Sequence, residues 1–92
     1  MPRGRVHIQP TDLKRRSIGI AVSDLRRRAG ISQEQLGAEC GFDRTYISRL
    51  ERGILNPTAI RLWAIADTLK TPFHQLIHQM ENWAAEQVSA RR

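Results

Sequence analysis

From Gln33 to Leu50 the chain reads QEQLGAECGFDRTYISRL. Counting Gln33 as position one, a small residue falls at position five (Gly37) and a second glycine at nine (Gly41). Apolar residues fall at four, ten, fifteen and eighteen: Leu36, Phe42, Ile47 and Leu50. Each has a physical reason. A small residue lets two helices cross closely, and a glycine at the turn adopts positive φ without strain. The apolar set then locks both helices onto a core. Ser32 and Gln35 have the spacing of a capping box, so the first helix is expected over Gln33 to Cys40. Asp43 is the next N-cap, with its helix running to Arg52 and stopping at Gly53.

This second helix carries little apolar surface. Ile47 and Leu50 form one narrow face, while Arg44, Thr45, Ser48 and Arg49 crowd the other. A helix made only for packing shows a wider apolar stripe. The two elements together have the pattern of a helix-turn-helix. The polar side of the second is therefore available to a charged groove.

Outward from this pair the pattern stays helical. Before it, Ile18, Val22, Leu25 and Ala29 keep the three-four spacing of a helix that starts near Thr11 or Ser17. Arg26, Arg27 and Arg28 fill its last turn, where cations suit the helix dipole, and Gly30 ends it. After it, Asn56-Pro57-Thr58 turns the chain into a fourth helix over Ala59 to Leu69. Pro72 opens a fifth, with Phe73, Leu76, Ile77, Met80, Ala84 and Val88 on its apolar side. Strand signals are confined to Val6-His7-Ile8. The expectation is an all-α bundle of five helices with an extended last one. Residues 1–16 read as a basic arm, 17–77 as the helix-turn-helix domain and 78–92 as a helical extension.

Composition narrows the partner. In 92 residues there are 15 Lys and Arg against 9 Asp and Glu, and 13 of those cations are arginine. Such a balance points to nucleic acid before acidic membranes. No apolar run approaches the ~20 residues of a spanning helix, and no apolar region follows the basic start as in a signal peptide. The single cysteine, Cys40, excludes an internal disulfide and fits the reducing cytoplasm. It reads as a small core residue. His74 and His78 stand four apart without the HExxH pattern, so no metal or cofactor is expected, and no catalytic motif is present.

The stretch SQEQLGAECGFDRTYISRLERGILNPT resembles the core of the lambda-repressor-like, Cro-type regulators (the xenobiotic-response-element family). DRTYIS followed by ERG and NPT is especially similar to the small controller proteins of restriction–modification systems. The resemblance covers about Ile18 to Ile77. It implies that Arg44, Thr45 and Arg49 read bases, that Gln33, Ser48 and Asn56 meet the DNA backbone, and that Tyr46 meets the backbone or a thymine. It implies a partly buried ion pair between Arg26 and Glu51. It implies a transcriptional regulator, a repressor or an activator, acting on double-stranded DNA. Three positions depart from the family pattern. Gly37 replaces the usual alanine, which lowers helix propensity by roughly 1 kcal/mol. Lys70 stands where glycine is frequent, and Ile60 and Trp63 where charged or variable residues are frequent.

One module of this size touches few base pairs, so a homodimer on a palindromic operator is expected. Its seam is expected along Phe73, Ile77, Met80, Trp83, Ala84 and Val88, an apolar stripe with no evident cover in a monomer. The rival reading is an antitoxin-like or co-regulator module. Its main partner would be another protein, met through that tail and through Ile60 and Trp63. RNA polymerase is a further candidate partner of an activator.

Overall fold

A computed structural model describes residues 9–90. These form five helices and, among the described residues, no strand: α1 (Pro10–Arg28), α2 (Gln33–Cys40), α3 (Arg44–Glu51), α4 (Ala59–Thr68) and α5 (Phe73–Ala90). The Val6–Ile8 segment read as a strand lies outside the described residues. The core is drawn from all five helices, with Val22, Leu36, Ile47, Leu50, Ile65 and Leu76 fully buried. No helix is long and apolar enough to cross a membrane among the described residues.

The helix starts follow the expected chemistry. Ser32 Oγ accepts from the Gln35 N–H at 3.0 Å while Gln35 Oε1 accepts from the Ser32 N–H at 2.8 Å, a complete capping box. Asp43 Oδ1 accepts from the Tyr46 N–H at 2.8 Å, and Thr58 Oγ1 from the Arg61 N–H at 3.1 Å. α1 is the exception. It takes the earlier of its two candidate starts, with Pro10 at N1 and no side-chain cap at Gln9. Proline at that position lacks only an N–H that a helix leaves unpaired anyway, and its fixed φ suits the turn. Residues 10–16 of the expected basic arm are thus the first turns of α1.

Three helices stop in the same way. After α1, α3 and α4 the chain enters the left-handed region at Gly30, Gly53 and Lys70. In each case the next residue donates back five positions, from Ile31 to the Arg26 carbonyl, Ile54 to Arg49 and Thr71 to Ala66. This is the Schellman arrangement, which satisfies two carbonyls that the helix end would leave free. Lys70 adopts it at φ 54° although it has a side chain, so α4 ends as a glycine would end it.

Close backbone approach defines the packing of the central helices. A Cβ on Gly19 of α1 would lie 2.5 Å from the Glu51 carbonyl oxygen and 2.6 Å from that of Leu50. α1 therefore crosses the end of α3 at a distance only glycine permits. A Cβ on Gly37 would press into the Phe42 carbonyl oxygen. The departure from alanine at this position has its reason there: the turn folds back onto α2 more tightly than a methyl group allows.

Candidate nucleic-acid interface

α3 is held by one edge. Ile47 and Leu50 are buried to within 1 % of full cover. At about 100° per residue, Arg44, Ser48, Thr45 and Arg49 occupy the opposite arc, with Tyr46 and Glu51 on its two flanks. Arg44, Thr45 and Arg49 are exposed and Ser48 is half-buried. The helix thus presents three hydrogen-bonding side chains in one strip, two of them cations.

The flanks are tied to the rest of the domain. On one side Arg26 Nε donates to Glu51 Oε2 at 2.7 Å and Arg26 Nη2 to Glu51 Oε1 at 3.0 Å, a two-pronged pair. Its side chains keep 11 % and 5 % of their exposure. The hydrogen bond to Glu51 holds the Arg26 guanidinium above its usual pKa, against the opposing effect of burial. Arg26 Nη1 also donates to the Ile31 carbonyl at 2.9 Å, which links α1, the loop and α3. Gln33 joins the same carboxylate, its Nε2 donating to Glu51 Oε1 at 2.9 Å. One N–H of the Gln33 amide is therefore engaged, and α2 also offers outward its first backbone N–H groups, a ready anion site at a helix N-terminus.

On the other side the Tyr46 ring meets Phe42, with centroids 5.1 Å apart. The Arg61 guanidinium of α4 lies over both rings, 5.0 Å from the Tyr46 centroid and 5.3 Å from that of Phe42. This clamp was not among the expected contacts. Arg61 stands in a different helix, separated from Phe42 by the whole of α3 and from both rings by the loop after it, so no periodic signal links it to them and only the fold brings it to the aromatic pair. Asn56, in the loop after α3, is exposed and accepts from Arg15 Nη1 at 2.9 Å.

The expected dimer residues divide between surfaces. Met80 packs against the core. Trp83 is half-buried and borders a crevice with Arg16 and Ile20 of α1 and with Arg52. The premise that nothing in a monomer covers the tail is thus corrected: α5 lies along α1, which shields these two. Phe73 and Ile77 open instead onto a groove shared with Trp63 of α4, whose ring stacks on Phe73 at 4.9 Å. Asp67, His74, His78 and Glu81 edge that groove. Val88 and Ala84 continue the row on α5, exposed and half-buried respectively.

Cys40 is half-buried and its thiol donates to Thr68 Oγ1 at 3.2 Å. Burial raises its pKa, the Thr68 bond opposes that, and Glu39 adds to it. Among the described residues, no three His, Cys, Asp or Glu are grouped to hold a metal ion.

A family model described as helix-turn-helix matches residues 22–76. An uncharacterized HTH-type transcriptional regulator, y4dJ of Sinorhizobium fredii, is 40 % identical over 63 residues, which are 68 % of this chain and 82 % of that protein. The crystal structure of the clp gene regulator ClgR from Corynebacterium glutamicum superposes with a TM-score of 0.84 over 89 % of this chain and 87 % of its own. At 22 % identity that likeness speaks for the fold alone. The restriction–modification controller protein C.Esp1396I, solved as a tetramer in complex with its natural 35 base-pair operator, is 30 % identical. It superposes with a TM-score of 0.64 over 73 % of this chain and 93 % of its own.

Proposed function

The chain belongs to the helix-turn-helix family of transcriptional regulators, and from that membership we propose that it reads a palindromic DNA operator as a homodimer. The observation that carries this reading is the exposed arc of α3, with Arg44, Thr45 and Arg49 together on the side away from Ile47 and Leu50. A helix of this width enters a major groove, and a guanidinium donates two bonds to guanine O6 and N7, the commonest specific contact. Arg44 takes that role, with Thr45 and Arg49 beside it. Ser48, Tyr46, the Gln33 backbone and Asn56 meet sugar and phosphate, which set register without reading sequence. The operator complex of the similar controller protein supports the same use of the same fold.

Two modules are needed for useful specificity, since one touches few base pairs. The groove of Trp63, Phe73 and Ile77, continued by Ala84 and Val88, is the face that pairs with its twin about a two-fold axis. Residues 17–77 carry the DNA-binding function and the end of α5 serves the dimer. Half-sites then lie about one helical turn, ~34 Å, apart.

Selection of bound sequences from random duplex DNA, with footprinting of the winners, tests the reading. Two inverted half-sites one turn apart are expected. A single asymmetric consensus sinks the homodimer, and no consensus at all sinks sequence-specific binding. One observation favours a protein partner as the second reading: Ile60 is 80 % exposed and Trp63 54 %, next to each other on α4. A monomer in sedimentation at tens of micromolar, together with a stoichiometric partner from the native host, selects that reading instead.

A further inference from the structure

The first two turns of α1 precede the residues matched by the helix-turn-helix family, yet they touch the loop after α3. Arg15 Nη1 donates to Asn56 Oδ1 at 2.9 Å across 41 residues of sequence. Arg15 Nη2 donates to Asp12 Oδ1 at 2.6 Å within the same helix. The backbones are close here too: a Cβ on Gly53 would stand 3.0 Å from Arg16 Cα.

Two consequences follow from the chemistry of these groups. A carboxamide has one accepting end and one donating end. With Oδ1 of Asn56 drawn onto Arg15, the donating Nδ2 is turned away from α1, and Asn56 is an exposed residue. A phosphate can only accept, so Nδ2 is the end it takes. Arg15, for its part, has both terminal nitrogens engaged and its charge answered by Asp12. A further phosphate contact from it would bring the Asp12 carboxylate against the DNA backbone.

We propose that Arg15 is a positioning residue that orients the Asn56 amide toward a DNA phosphate, which makes the start of α1 a working part of the DNA-binding surface. The proposal rests on the DNA-binding reading above. It gives this helical extension a function that the matched domain alone does not contain.

The test measures binding of the full chain to its selected duplex for wild type, Arg15→Ala, Asn56→Ala and the double variant. A salt series and a melting curve are recorded for each. Each single substitution is expected to weaken binding by about 10-fold, the low end for one hydrogen bond to a charged group. The double is expected to bind as Asn56→Ala does, because Arg15 acts through Asn56. The salt dependence of Arg15→Ala should match wild type, since no charged phosphate contact is lost. Arg15→Lys, which keeps a donor, should recover part of the affinity and guards against a folding defect in the alanine variant. Additive singles overturn the proposal, as does undiminished binding by Arg15→Ala. So does a salt slope reduced by about 0.9, the signature of a direct phosphate contact. Absence of wild-type binding to any duplex overturns the DNA reading itself, whereas additivity with intact wild-type binding removes only the role of Arg15.

Discussion

The two halves of the molecule are closed by different means. In the half made of α1, α2 and α3, polar groups finish what the apolar core begins. Glu51 gathers Arg26 and Gln33, Ser32 and Asp43 cap their helices, and backbones meet at Gly19 and Gly37. In the half made of α4 and α5, apolar surface is left over, with Ile60, Trp63 and Val88 in solvent. The first half also leaves Ile20 and Ile54 partly in water, but its outward face on α3 is polar, with Arg44 and Arg49 exposed. The second half carries Ile60, the most exposed large hydrophobic residue among those described. On the proposed reading, one chain separates the surface that reads DNA from the surface that pairs.

The sharpest way to break this contrast is to remove the polar closure. Glu51→Ala strands the Arg26 guanidinium and releases Gln33, and we expect a loss of about 3 kcal/mol, the low end for a buried pair. At 4–8 °C for each kcal/mol in a domain of roughly this size, calorimetry would see it plainly. Arg26→Ala should fall similarly, with the double variant losing less than the sum. Strict additivity would take the pair out of the account.

Next in size is the apolar half. Trp63→Asp places a charge in the groove, and dimer affinity should drop by about 2–3 kcal/mol, as for a central interface residue. The melting temperature of the isolated monomer should hold, because Trp63 is half in water already. Ending the chain after Ile77 is the poorer test. It removes Met80, which packs on the core, and so confuses pairing with folding. Trp63→Asp that remains dimeric in sedimentation would move the pairing face elsewhere.

On the reading face, Arg44→Ala should reduce operator affinity by ~1–3 kcal/mol and relax one base pair in each half-site. Asn56→Ala, by contrast, should weaken all sequences alike. An unchanged consensus from Arg44→Ala would remove α3 from the groove. Gly37→Ala sets two effects against each other. Alanine gains about 1 kcal/mol of helix propensity, but its Cβ would press on the Phe42 carbonyl, and overpacking of this kind is worth ~1–3 kcal/mol. A net loss is expected in urea unfolding, and a more stable variant would show that the turn has room to move. The smallest effect belongs to Lys70→Gly. Relief of the left-handed conformation should raise stability by about 0.5–1 kcal/mol, partly offset by the freer unfolded chain.

What could be read in advance was local. The caps at Ser32, Asp43 and Thr58 and the spacing from Leu36 to Leu50 are decided by neighbours a few residues apart, so the bundle and its motif were legible. The Arg26–Glu51 pairing came from the resemblance, because nothing in either residue's surroundings announces the other. The remaining contacts cross long separations. Periodicity shows that Met80 and Trp83 lie on an apolar face of α5 but not that α1 covers them. It gives no sign that Arg15 finds Asn56, or that Arg61 settles on Phe42 and Tyr46. Proline at residue 10 left two starts open for α1, near Thr11 or Ser17, since the same residue breaks a helix interior and suits its first position.

The two tryptophans stand at opposite answers to the question of cover, and that makes them optical reporters. Trp83 rests beside α1 and is shaded by folding, so its emission should follow unfolding and ignore protein concentration. Trp63 sits half in water on the Phe73 ring, and its emission should move to shorter wavelength only when a partner closes the groove. Trp63→Phe and Trp83→Phe would give single-tryptophan chains in which folding and association are followed separately, by light alone and without a label.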